Sequence, residues 1–174
     1  FTVSDGALTD SETITITVAD VNSAPTLSGI PDQTVNEDAG SFLVNIWTYV
    51  VDAETTLANL IFSVVSQTAS NIVSCSNVDS NGFLSCLTQS NQFGSSDVTV
   101  QVQDEGGLTD QDTFTINVLS VDDGPTVNIL EPGRKVTENE DFDFVATASD
   151  PEGDALTYTI DFDDGTTETG SVVS

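Results

Sequence analysis

A chain of tandem immunoglobulin-like β-sandwiches, all-β in class, is what this sequence predicts, and three observations carry the prediction. Thr, Val, Ser and Asp dominate its 174 residues, and β-branched side chains favour strands. No window shows the 3.6-residue apolar period of an amphipathic helix. A strand–turn–strand passage also recurs at an offset of 100 residues.

The repeat sets the domain organisation. Thr2-Val3-Ser4-Asp5-Gly6-Ala7-Leu8-Thr9-Asp10 matches Gln101-Val102-Gln103-Asp104-Glu105-Gly106-Gly107-Leu108-Thr109-Asp110, with one residue inserted in the turn. Thr13-Ile14-Thr15-Ile16-Thr17-Val18 then matches Thr113-Phe114-Thr115-Ile116-Asn117-Val118, and Pro25 falls on Pro125. The expected division is therefore a last hairpin of one domain (residues 1–24), a complete domain (25–124) and the first part of a third (125–174). Within the complete domain seven strands are expected, near 26–35, 42–46, 60–65, 71–75, 83–88, 98–102 and 113–118. Several alternate apolar with polar, as Phe42, Val44 and Ile46 do, which half-buried strands require. Seven short strands with turns every 8–12 residues is the pattern of an immunoglobulin-like sandwich.

Charge narrows the function. Against 29 acidic residues stand only two basic ones, Arg134 and Lys135, for a net charge of −27. Such a surface repels phosphate backbones and anionic lipid, which argues against nucleic-acid binding and membrane attachment by this segment. Self-repulsion of that size opposes compaction unless cations relieve it. An acidic surface suited to salty surroundings and carboxylates that hold divalent cations both fit this composition.

Cys75 and Cys86 flank Asp79-Ser80-Asn81-Gly82, which is turn chemistry. A hairpin centred between Ser80 and Asn81 sets the two cysteines opposite one another, suited to a cross-strand disulfide. That bond implies an oxidising, extracellular or cell-surface compartment. Trp47 and Tyr49 follow the second expected strand. With one Trp in the chain, core and edge packing is favoured over an aromatic platform for a glycan.

Several spaced motifs resemble a known family. Gln33-Thr34-Val35-Asn36-Glu37-Asp38, Asp52-Ala53-Glu54, Asn91-Gln92-Phe93-Gly94 and Gly106-Gly107-Leu108-Thr109 look like the cadherin-like tandem repeats of prokaryotic surface proteins. The linker Asp20-Val21-Asn22-Ser23-Ala24-Pro25 is similar to that family's acidic Asp-x-Asn-Asp-Ala-Pro joint, with Ser23 in place of an acid. Further on, Asp150-Pro151-Glu152-Gly153-Asp154 and Asp161-Phe162-Asp163-Asp164-Gly165 resemble a polycystic-kidney-disease-type repeat, although Ile160 and Asp163 stand where that family usually has Trp and Gly.

Strand alternation then places the acids. Asp52 and Glu54, the turn of Asp104, Glu105 and Asp110, and the linker residues Asp20 and Asn22 all fall at the end where the chain enters the complete domain. Calcium prefers six to eight oxygens on adaptable loops. The resemblance implies the same ion at the same positions: Asp20, Asn22, Asp52, Glu54 and Asp104. A second joint follows at the other end, from Glu37, Asp122, Asp123, Asp150 and Glu152. There Ser120 replaces the counterpart of Asp20, and the first joint is expected to be the better site.

Catalysis is not expected. A Ser or Cys nucleophile needs a base, and the sequence has no His; its many acids fall on loops with calcium-like placement. The reading is a structural and adhesive module of an extracellular stalk, surface layer or fibre, with calcium at its joints. Its partners are then neighbouring repeats of the same chain, other copies in a fibre, or a cell-surface protein or glycan. The alternative is a carbohydrate-binding or spacer module of a secreted hydrolase. In a fibre, the hairpin of one copy would complete the third domain of another; a window from a longer chain is the plainer account.

Overall fold

The structure is a computed structural model, and it describes residues 1–130, 137, 145–161, 163 and 165–171. Arg134 and Lys135, and Phe162 and Asp164 of the Asp161–Gly165 motif, lie outside the described residues. The chain is all-β. A first hairpin joins β1 (Thr2–Ser4) to β2 (Thr9–Ser11). Asp5 closes its turn, its carboxylate accepting the N–H groups of Ala7 and Leu8.

The next nine strands make two facing sheets, of four and three strands, and one two-stranded pair. They are β3 (Thr26–Leu27), β4 (Gln33–Asn36), β5 (Ser41–Asn45), β6 (Val50–Val51), β7 (Ile61–Gln67), β8 (Val73–Val78), β9 (Phe83–Thr88), β10 (Gly94–Gln103) and β11 (Thr109–Leu119). One sheet has the order β4-β11-β10-β7 and the other β5-β9-β8, with β3 paired to β6. The expected first strand at 26–35 divides at Pro31: β3 pairs antiparallel with β6, and β4 crosses to pair parallel with β11. Proline cannot donate to a ladder, so the crossing falls where the ladder is already broken. Carboxylates replace the missing ladder bonds. Asp110 accepts the N–H of Leu27, Asp112 that of Ile30, and Asp32 that of Thr115.

Alternation fills the interior. Val98, Val100 and Val102 of β10 and Phe114, Ile116 and Val118 of β11 face Val44, Ile46, Val73, Leu84 and Cys86, all buried. Across β8 and β9 the residues opposite each other include Cys75 and Cys86, whose sulfurs are bonded with Cα atoms 4.0 Å apart. The expected disulfide is present. Replacing both cysteines with Ala lowers stability by about 3 kcal/mol in the loop-entropy model; a urea midpoint unmoved by the double substitution counts against that contribution.

Two hairpin-like pairs follow, β12 (Thr126–Ile129) with β13 (Ala146–Ser149), and β14 (Thr157–Asp161) with β15 (Thr167–Ser171). One expected strand is missing. Residues 13–18 are exposed and form no ladder, whereas their counterparts in β11 pair with Gly94–Thr99 of β10 and with β4. Among the described residues nothing pairs with 13–18.

Candidate functional site

The two joints are built on one local plan. Thr26 lies opposite Val51, and Thr126 lies opposite Ser149. Each pairing delivers an Asp-x-Glu directly after the second strand, Asp52-Ala53-Glu54 in one case and Asp150-Pro151-Glu152 in the other. In both, the first acid folds back on its own backbone. Asp52 Oδ1 accepts the N–H of Glu54 at 3.0 Å, and Asp150 Oδ1 that of Glu152 at 3.1 Å. The glutamate then takes the linker, Glu54 Oε2 receiving the N–H of Ser23 at 3.1 Å and Glu152 Oε2 that of Asp123 at 3.0 Å.

The joints part company at the residue so held. At the first, the Ser23 hydroxyl also donates to Glu54 Oε2, at 2.7 Å. Asp104 is only 3% exposed, yet both its oxygens are engaged. Oδ1 accepts the N–H of Leu108 and Oδ2 the side-chain amide of Asn22, each at 2.8 Å. Burial pushes the Asp104 carboxyl up, but the Asn22 amide and the N–H groups of Leu108, Gly107 and Gly106 outweigh it and hold its pKa below the ordinary value. Asn22 also lies over Gly106, where a Cβ would come within 2.3 Å of its amide nitrogen. Asn22 thus locks the linker onto the β10–β11 turn with its amide donor. Glu105 accepts from Asn59 and Asp110 from Leu27. Asp20 is exposed, with the N–H of Val21 on its carboxylate. Of the expected ligands here, only Asp52 keeps a buried oxygen, Oδ2, without a partner among the described residues.

The second joint is different in kind. Glu37, Asp123 and Glu152 come from β4's end, the linker and the Asp-x-Glu motif, and one oxygen from each lies within 4.8 Å of the others. Glu37 is 1% exposed; its Oε1 accepts the N–H of Val121, and its Oε2 is buried without a partner. Asp123 Oδ2 and Glu152 Oε1 are likewise buried and unpartnered among the described residues. Burial first, then the charges of Asp38, Glu152, Glu37 and Asp122, push the Asp123 pKa above the ordinary aspartate value. Asp122 is exposed, and Asp150 spends Oδ1 on the N–H groups of Glu152 and Asp154. Asp38, which the sequence reading passed over, adjoins Glu37 with a φ of +58° and adds its charge to the cluster.

Residues 122–174 match the family model described as the PKD domain. This last stretch is similar to a PKD domain. The match takes in Asp123, Asp150 and Glu152, so two of the three clustered acids come from the PKD segment and its linker, and Glu37 comes from the preceding sandwich. No curated protein matches the chain by sequence. Among solved structures, the extracellular cadherin domains 1–4 of protocadherin gamma B7 align at 13% identity and a TM-score of 0.45, covering 84% of this chain and 40% of that one. The human desmocollin-1 ectodomain aligns at 18% identity and 0.42, covering 81% and 30%. The PKD domain of the KIAA 1837 protein aligns at 16% and 0.39, covering 69% and 100%. The chain thus spans less than half of each of these two cadherin ectodomain chains.

Trp47 belongs to packing. It opens a short 3-10 turn, Trp47–Tyr49, and its ring rests on the backbone of Gly82 at the tip of the β8–β9 hairpin. Its indole N–H is buried without a partner among the described residues. The hairpin tip thus occupies one side of the ring. Among the described residues no helix is long and apolar enough to cross a membrane.

Proposed function

We propose that this chain is part of an extracellular, non-catalytic array of tandem β-sandwiches, divided at residues 25 and 125, with calcium stiffening the joints. The observation that carries the reading is the convergence of Glu37, Asp123 and Glu152, one oxygen of each within 4.8 Å of the others and each residue with a buried oxygen unpartnered among the described residues. Unpaired buried acceptors are costly, and three together repel one another. A cation between them answers both problems.

The chemistry of the donors fits calcium. Calcium–oxygen distances of about 2.3–2.6 Å bring ligand oxygens within roughly 5 Å of each other, and these lie within 4.8 Å. All three donors are carboxylates, which suit calcium. Zinc sites draw on His and thiolate, and this chain has no His and both its cysteines in a disulfide. Glu37, Asp123 and Glu152 would hold the ion, which supplies positive charge where the chain has placed only negative. At the first joint the reading extends to Asp20, Asn22, Asp52, Glu54 and Asp104, with Asp52 Oδ2 as the free donor. The disulfide supports an oxidising location, and an adhesive or stalk role follows from the repeat.

Rigid joints hold sandwiches in line. Removing calcium with a chelator is expected to shorten the maximum dimension in small-angle scattering and to blur the profile of a straight rod. A profile unchanged by chelation, with no calcium bound in a titration, refutes the proposal.

A further inference from the structure

The distribution of charge along the middle sandwich is uneven. Between Ala39 and Gln103 the only charged residues are Asp52, Glu54, Asp79 and Asp97, in a chain that holds 29 acids. The sides of this domain are therefore nearly neutral, while its ends are acidic. An identical, strongly anionic copy meets least repulsion along those sides.

One strand edge on this neutral flank is open. Because the chain crosses at Pro31 to place β4 in the other sheet, β5 has a single neighbour among the described residues, β9. The ladder shows which of its groups face outward. The N–H of Thr88 donates to Gly40 and that of Ile46 to Gly82, so even-numbered residues here turn their backbone polar groups to β9. Antiparallel geometry then turns those of Ser41, Leu43 and Asn45 away from the sheet. Edges of this kind template pairing with another chain unless charge, proline or a cover blunts them. The opposite edge of the sheet is covered: Gln67 of β7 bonds the C=O of Val73 and the N–H of Cys75 on β8. Asn77 likewise takes the N–H of Val64 on β7. The short β4 is flanked by Asp32, Glu37 and Asp38. The β5 sequence Ser-Phe-Leu-Val-Asn carries no charge and no proline.

The outward face beside that edge is apolar at its centre. Leu43 is 61% exposed and Leu87 49%. With Leu43 opposite Ser85 and Ser41 opposite Leu87, the two leucines are diagonal neighbours on one face. Around them lie Ser41, Ser74, Ser76 and Ser85.

We infer that a second copy of this chain pairs here, β5 against β5 in antiparallel register about Leu43, joining two three-stranded sheets into one. Leu43 then faces its own counterpart, and Ser41 faces the second copy's Asn45, a self-complementary arrangement with two-fold symmetry. The two leucine pairs close over the seam. This contact joins rods side by side, is independent of the joints, and does not rest on calcium.

Sedimentation equilibrium tests it, at physiological salt and in excess chelator, over a hundredfold range of concentration up to about 1 mM. The expected result is a reversible monomer–dimer equilibrium in both conditions. Leu43→Pro removes an N–H that faces outward, a position proline tolerates on an edge strand, and Leu43→Lys adds charge at the seam. Each is expected to weaken the dimer at least tenfold while leaving far-ultraviolet circular dichroism and the disulfide unchanged. If Leu43→Pro unfolds, Leu43→Lys alone decides. A monomer throughout the range overturns the inference. So does a dimer that Leu43→Lys leaves as tight as before.

Discussion

Asp123→Asn is expected to weaken calcium binding about tenfold or more and, in chelator, to raise the melting temperature. On the calcium reading proposed above the two effects have opposite signs, because the three facing carboxylates that would hold the ion repel one another without it. Asp123 Oδ2, Glu37 Oε2 and Glu152 Oε1 are buried with no partner among the described residues, and one oxygen from each of these residues lies within 4.8 Å of the others. An asparagine there removes one of three facing charges and turns an acceptor into a donor. Its amide can serve either neighbouring carboxylate, so the ion-free joint gains. The same change deletes a charged ligand, and calcium affinity follows ligand charge. Calorimetric titration and thermal melts with and without chelator measure both. A substitution that lowers the melting temperature in chelator and leaves calcium affinity intact contradicts the assignment of Asp123.

Acidity offers an independent reading of that cluster. The Asp123 pKa is raised, by burial and then by the charges of Asp38, Glu152, Glu37 and Asp122. The folded state therefore keeps a proton that the unfolded chain releases. Its contribution is fully present below the ordinary aspartate value and is lost as pH rises through the raised one. In chelator the second joint tightens on mild acidification, and Asp123→Asn flattens this response. Asp104 behaves in the opposite sense. Its lowered pKa gives stability present above the ordinary value and lost as pH falls through the lowered one.

The strands were legible because their alternation is strict wherever both sheets pack, as in Val98, Val100 and Val102. Residues 13–18 carry the same alternation and form no ladder, since a pattern states which face would be buried and not whether a partner exists. Asp110 and Asp112 show another limit. Asp110 reads as a turn acid and Asp112 has no role in the sequence pattern, yet they accept the N–H groups of Leu27 and Ile30 where the chain crosses at Pro31. No spacing rule announces that use.

At the joints the sequence pattern puts acids at the two ends, and it favours the first because Ser120 stands where the first joint has Asp20. The first joint has the longer roster, and its members are largely engaged: Asn22 with Asp104, Ser23 with Glu54, Leu108 with Asp104. What distinguishes the second is a single position. Ser23 donates its hydroxyl to the glutamate that holds it, whereas Asp123 at the equivalent place brings a further acceptor. Glu37 adds the third from the preceding sandwich.

Gly82→Ala is expected to destabilise the middle sandwich by roughly 2–4 kcal/mol, well beyond the effect of the same change at Gly40. Both glycines have positive φ, +85° and +78°, so both substitutions carry the backbone strain of about 1 kcal/mol. Around Gly40 an added Cβ meets nothing within 4 Å, whereas at Gly82 it falls 2.2 Å from Cγ of Trp47 and 2.4 Å from Cδ1. Those atoms lie at the root of the side chain, so rotating the ring does not clear them. The turn holding Trp47 must shift instead. That turn is tied to the hairpin tip by the N–H of Ile46 on the carbonyl of Gly82, and Ile46 is a fully buried core residue. Strain at the tip therefore reaches the core. The difference between the two glycine variants in urea titration isolates the tryptophan contact. Adding Trp47→Ala to Gly82→Ala should recover part of the loss, as coupled neighbours do. Equal costs at Gly40 and Gly82 would mean that the ring does not rest on the hairpin tip in solution. Its face would then be free for a stacked sugar, and the carbohydrate-binding alternative would regain its footing.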